Sequence, residues 1–88
     1  MIIEERARVF DALGDPTRLR ILELVRGREL ASHEIADGLG ISPALACHHL
    51  KHLAEAGLLS HRRGGQSKYY RLNRPLLEQH CRSLIEGA

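Results

Sequence analysis

Ser32–Leu72, SHEIADGLGISPALACHHLKHLAEAGLLSHRRGGQSKYYRL, sets the reading of the whole chain. It divides into a short helix around His33 to Leu39, capped by Ser32, a Gly-bounded turn, and a second helix opened by Ser42-Pro43. A basic two-strand hairpin folded at Gly64-Gly65 follows. Ser at an N-cap satisfies an otherwise orphaned amide, and Pro just inside it lacks only a hydrogen that would have had no partner. Paired strands are expected over Leu59 to Arg63 and Ser67 to Leu72, since Gly tolerates positive φ at the turn and Tyr69-Tyr70 favours strand. The order of parts is a helix-turn-helix followed by a wing. A protein that reads a duplex needs a helix that enters the major groove and a basic ribbon beside it on phosphate, and this stretch supplies both.

Outward from that stretch, Ile2, Ile3, Ala7, Val9, Phe10 and Leu13 recur at helical spacing until Gly14. Asp15-Pro16 restarts a helix that is apolar over much of its circumference through Leu19, Ile21, Leu22, Leu24 and Val25, and Gly27 closes it. Ile35, Ala36 and Leu39 are expected inward on the third helix, and Ala46, Leu50 and Leu53 on the fourth, which runs to about Ala56 with Gly57 in a left-handed cap. Arg74-Pro75 opens a last helix with Leu77, Cys81, Leu84 and Ile85 along one stripe. The fold expected is mainly α with a β-hairpin wing, four helices, two strands and a fifth helix, in one winged helix-turn-helix domain over 1–88. The first and last helices carry apolar faces that so small a core cannot cover, so they are expected to form a homodimer interface.

The formal net charge is only +2, but it is unevenly placed. Residues 41–71 carry Lys51, Arg62, Arg63, Lys68 and Arg71 against Glu55 alone, together with His48, His49, His52 and His61. A basic surplus on the reading module makes double-stranded DNA the leading partner. Two cysteines, Cys47 and Cys81, are too few for a disulfide scaffold, and neither a secretory h-region nor a long apolar run is present. A cytoplasmic protein with no membrane partner is expected. There is no Gly-rich phosphate loop, no carboxylate pair on one face and no nucleophile with an evident base, which argues against an enzyme.

The fourth helix is the candidate reader. Its first turn places Ser42, Ala44, Cys47 and His48 at base edges, with Lys51 and His52 on phosphate. His49 lies beside the inward face, where a structural role is expected. Arg62, Arg63, Gln66, Ser67 and Lys68 surround the hairpin tip. Charge on an edge strand also guards against aggregation, but beside a reading helix it points to phosphate or the minor groove. Tyr70 and Leu72 share a face and are expected to pack. His48 and His52, at i and i+4, have the spacing of a metal pair but no third ligand, and read better as a pair facing DNA.

The segments FDALGDPTRLRILELV (Phe10 to Val25), IADGLGISPALACHHLKHLAEAGLL (Ile35 to Leu59) and YYRL (Tyr69 to Leu72) resemble the metal-sensing ArsR/SmtB winged-helix family of bacterial repressors. The resemblance implies a homodimeric repressor that binds a palindromic operator and releases it to an inducer. Members that sense soft metals on the third helix have a Cys-Val-Cys run, where this chain has Ala31-Ser32-His33. Members that bind zinc across the last helices use an Asp and a His near the start of that helix, where this chain has Arg74 and Leu76. Neither metal set is present, so the metal site is unknown and no cofactor is assigned. The remaining options for an inducer are a soft metal ion or thiol modification at Cys81 or Cys47. Against these stands the tendency of a free Cys on an apolar stripe to behave as a small hydrophobe. The alternative function is a winged-helix module for dimerisation or RNA contact, without inducer sensing.

Overall fold

The helix starts follow the cap chemistry closely. Asp15 Oδ2 accepts from the Arg18 amide at 3.0 Å ahead of α2 (Pro16–Leu24), and Ser42 Oγ accepts from the Leu45 amide at 3.1 Å ahead of α4 (Pro43–Glu55). Asn73 Oδ1 accepts from the Leu76 amide at 3.4 Å ahead of α5 (Arg74–Glu86). Each carries Pro within its first two positions. The computed structural model describes residues 2–87, so the domain expected over 1–88 includes Met1 and Ala88, which lie outside the described residues.

The element order is α1 (Ile3–Leu13), α2, β1 (Leu30–Ala31), α3 (Ser32–Leu39), α4, β2 (Leu59–Gly64), β3 (Ser67–Leu72) and α5. The winged helix-turn-helix is as expected, with one strand added. β1 pairs antiparallel with β3, Leu30 opposite Tyr70 and Ala31 opposite Tyr69, giving a sheet in the order β1-β3-β2. Two residues are too few to show a period in the sequence, and only the partner strand makes them a strand.

Three boundaries move. α2 ends at Leu24, short of Gly27, with Val25 as its cap: the Val25 amide still donates to the Ile21 carbonyl, and its side chain is buried at 1% exposure. Ser32 is the first residue of α3 and not its cap. Ala31 holds that position, and Glu34 Oε1 accepts from its amide at 2.8 Å; alanine has no acceptor to return, so only this half of a capping box forms. In the hairpin, Gly64 belongs to β2 opposite Ser67, which leaves Gly65-Gln66 as the turn, with Gly65 at φ +62. A left-handed φ at the first central position alone fits a type II′ hairpin.

The core joins Val9 and Ala12 of α1, Ile21 and Leu22 of α2, Ile35 of α3, Leu50 and Leu53 of α4, and Leu30, Leu58, Leu59 and Tyr70 around the sheet. Each fully buried aliphatic side chain contributes about 1.5–3 kcal/mol. Gly57, at φ +84, ties α4 to α5: its carbonyl accepts from Asn73 Nδ2 at 2.9 Å, and a Cβ there would stand 2.8 Å from Leu76 Cδ1. The inner face of α5 is therefore Leu76, Leu77 and His80, the last 4% exposed, and not the whole expected stripe. Cys81 is half-buried, while Leu84 at 58% and Ile85 at 83% stand in solvent.

Candidate nucleic-acid interface

The geometry of α4 follows from its buried side. Ala46, His49, Leu50 and Leu53 are buried, and at 100° per residue the opposite ridge is Ala44, His48 and Lys51, all exposed, with Ser42 exposed at the cap. The ridge joins residues expected at base edges to one expected on phosphate. Cys47 and His52 fall on the two flanks. Cys47 is exposed toward the wing, beside Tyr70, whose phenol pKa is raised first by burial and secondarily by the nearby Cys47. His52 Nε2 lies 3.4 Å from Asp11 Oδ2 of α1, so this ring leans toward the helix behind the reader.

His49 faces α2 from the buried side of that reader. Arg18 donates from Nε to the Ala12 carbonyl at 2.6 Å and from Nη2 to the Asp11 carbonyl at 3.3 Å, and its Nη1 is 3.4 Å from His49 Nδ1. One guanidinium thereby joins the end of α1 to the middle of α4. Burial lowers the pKa of His49; Asp15 opposes this, while Arg18, His48 and His52 reinforce it. His49 Nδ1 is 4.0 Å from Asp15 Oδ2, a separation that would count as an ion pair for a charged ring. The lowered pKa keeps the ring neutral, so at neutral pH the contact is only polar. The Asp15 carboxyl is itself held below its ordinary range, first by the Arg18 amide.

In the wing, register and alternation separate the charges. Arg63 pairs with Lys68 and His61 with Tyr70 on the face that holds Tyr70 inward, whereas Arg62 pairs with Tyr69 and Ser60 with Arg71 on the opposite face. Arg63 and Lys68 thus join Cys47, Lys51, Ser32 and His61 along a groove of about 690 Å³ between α4 and the wing. Like charges directly opposite destabilise a strand pair, and Glu55 is the one carboxylate lining the groove. A polyanion would relieve that repulsion. Gln66 is exposed at the turn and Ser67 half-buried beside it.

Arg62 is placed differently from its neighbour. Its Nε and Nη2 donate to both Glu29 oxygens at 2.7–3.1 Å, and its guanidinium lies 4.8 Å from the Tyr69 ring centre. Glu29 accordingly raises the pKa of Arg62. Arg18, Glu29 and Tyr69 escaped the sequence reading. Alternation could have set Arg62 apart from Arg63, but nothing local points to Glu29. Among the described residues no group of three or more His, Cys, Asp or Glu is placed to hold a metal ion, and no helix is long and apolar enough to cross a membrane.

The profile of a family described as bacterial regulatory protein, arsR family, matches residues 15–61, which run from the α2 cap into β2. The transcriptional repressor SdpR of Bacillus subtilis is 41% identical over 70 residues, covering 80% of this chain and 78% of that protein. The arsenic resistance transcriptional regulator ArsR1 of Pseudomonas putida is 40% identical over 80 residues, covering 90% of this chain and 62% of that protein. The solution structure of the homodimeric winged helix-turn-helix DNA-binding domain of Mb0332 from Mycobacterium bovis superposes with a TM-score of 0.82 at 30% identity, covering 97% of this chain and 80% of that one. With α4 and the wing framing one basic groove and the family profile spanning that module, the chain belongs to the arsR family of bacterial regulatory proteins, a winged helix-turn-helix DNA-binding transcriptional regulator and not an enzyme.

Proposed function

We propose that the chain acts as a single winged helix-turn-helix domain and a homodimeric repressor in the cytoplasm, binding a pseudo-palindromic operator through α4 and the wing. The groove carries this reading: Lys51, Arg63 and Lys68 converge there without an ion pair among the described residues, next to the exposed Ala44 and His48. SdpR is named a repressor and the Mb0332 domain a homodimer, in keeping with both parts of the proposal. Ser42, Ala44, Cys47 and His48 approach base edges. Lys51, Arg63, Lys68, Gln66 and Ser67 hold phosphate, with His52 and Arg62 at the margin.

The inducer, a soft metal ion or a thiol-directed oxidant, acts through a cysteine. Both need a deprotonated sulfur, which Cys47 or Cys81 can supply. Cys81 lies on a helix assigned to the dimer interface, where a new charge or bulk would change the angle between the two reading heads. Cys47 borders the groove itself.

The test selects duplexes from a random library and follows their binding by fluorescence anisotropy. The expected outcome is a site with half-sites about 10 bp apart or a multiple of that, and a steep salt dependence. His48→Ala should change the preferred bases. Hydrogen peroxide or cadmium should release the duplex, and Cys81→Ser should blunt the release while sparing basal affinity. Binding indifferent to sequence and salt sinks the operator reading. A Cys47→Ser, Cys81→Ser double variant that responds like the parent removes the thiol.

A further inference from the structure

A second cavity, about 540 Å³, lies between the α2–β1 turn and the face of the hairpin that carries Ser60, Arg62 and Arg71. By alternation Ser60, Arg62 and Arg71 lie on the face opposite Arg63 and Lys68, and the cavity shares only His61 with the groove beside α4. Four guanidinium groups line it, those of Arg26, Arg28, Arg62 and Arg71, against the single carboxylate of Glu29. That carboxylate is taken: both its oxygens accept from Arg62. Arg26, Arg28 and Arg71 have no ion pair or side-chain hydrogen bond among the described residues.

Three uncompensated guanidinium groups around one concavity repel one another in the empty state, and a planar guanidinium is the side chain that best matches oxyanions in a bidentate fashion. The volume lies within the range of small-molecule sites. Val25 and Leu72 give the cavity an apolar floor, and the half-buried Ser60 hydroxyl adds a neutral hydrogen-bonding group. Arg62 is preset by Glu29 on one side and the Tyr69 ring on the other.

We propose that this cavity is a binding site for a small oxyanion carrying at least two negative charges, a phosphate or a polycarboxylate, held by Arg26, Arg28 and Arg71. The site stands apart from the reading ridge of α4, none of whose residues lines it; it shares with the operator surface only Arg62, at the margin of that surface, and His61.

Isothermal titration of the intact chain with pyrophosphate, and separately with citrate, tests the assignment and tells phosphate from carboxylate chemistry. One saturable site per chain is expected for at least one of them. Arg28→Ala combined with Arg71→Ala should weaken binding by about tenfold or more, equivalent to about 1.4 kcal/mol. Arg63→Ala combined with Lys68→Ala should leave it unchanged. Amide shift changes on titrating the parent should cluster at residues 26–29, 60–62 and 71, a readout that needs no variant to fold. The proposal is overturned if neither probe saturates, or if the two double variants lose affinity equally, which would mean diffuse charge attraction. It is also overturned if a bound duplex excludes pyrophosphate and the Arg28→Ala, Arg71→Ala variant loses salt slope on DNA, which would give the cavity to the duplex footprint.

Discussion

Arg18 and His49 hold the reading helix in place, and their contact spans 31 positions of sequence. The sequence placed His49 beside the inner face of α4, where it is 8% exposed. It gave no sign of Arg18, which reads as an ordinary solvated arginine of α2 until the chain folds α1 and α4 around it. The folded state prefers neutral His49, while the unfolded chain takes up a proton near 6.5. Between the lowered folded value and 6.5 the unfolded state binds more protons, so this contribution is intact above 6.5 and is lost as pH falls through that window. Asp15 is also lowered, but its contribution is lost only on acidification past 3.8, which separates the two. Urea unfolding should therefore show the parent losing stability as the pH is lowered below 6.5, the ordinary histidine value. His49→Gln keeps an acceptor for Arg18 without titrating, and should flatten that slope. An equal slope in the variant would assign the pH dependence to other groups.

The wing shows what a strand does to neighbouring charges. Arg62 and Arg63 are adjacent in sequence and read as one basic tip, yet period-two alternation places them on opposite faces, and only Arg63 shares the groove with Lys68 and Lys51. That separation was legible in the sequence. The anchoring of Arg62 was not, because Glu29 lies 33 residues away, just before the two-residue strand β1. Arg63→Ala with Lys68→Ala is expected to lower the slope of log affinity against log salt by up to about 1.8, roughly 0.9 for each phosphate no longer neutralised. Arg62→Ala should change the slope by clearly less. Equal reductions from the two faces, measured by anisotropy over a salt series, would mean that both meet the backbone.

At the scale of the molecule, one chain is too extended to be closed. Its radius of gyration is 13.2 Å, where about 12 Å is usual for this length. It exposes 5687 Å², above the roughly 5,200 Å² expected for its mass. The excess of about 500 Å² is of the order of one partner's share of a standard interface. Apolar exposure concentrates at Ile2 and Ile3 beside the start of α1 and at Leu84 and Ile85 near the end of α5. We therefore expect Leu84→Asp to shift sedimentation at micromolar concentration from dimer toward monomer. Such a variant that sediments as the parent does would move the interface away from α5. Duplex affinity should fall with it, because two half-sites are then engaged independently.

Cap residues, turn glycines and apolar periodicity act within a few positions, which is why the sequence by itself determined the starts of α2, α4 and α5, the helix-turn-helix, the hairpin and the inner face of α4. The basic surplus of residues 41–71 likewise needed no coordinates, since charge is a property of composition. The tertiary structure decided what depends on groups distant in sequence meeting in space. It made Leu30–Ala31 a strand by giving it β3 as partner, and it turned Arg62 to Glu29 and Arg18 to His49. It also chose His80, not Cys81, for the inside of α5, because the helix is docked through Asn73 and Gly57 at an angle that its own stripe of apolar residues does not specify.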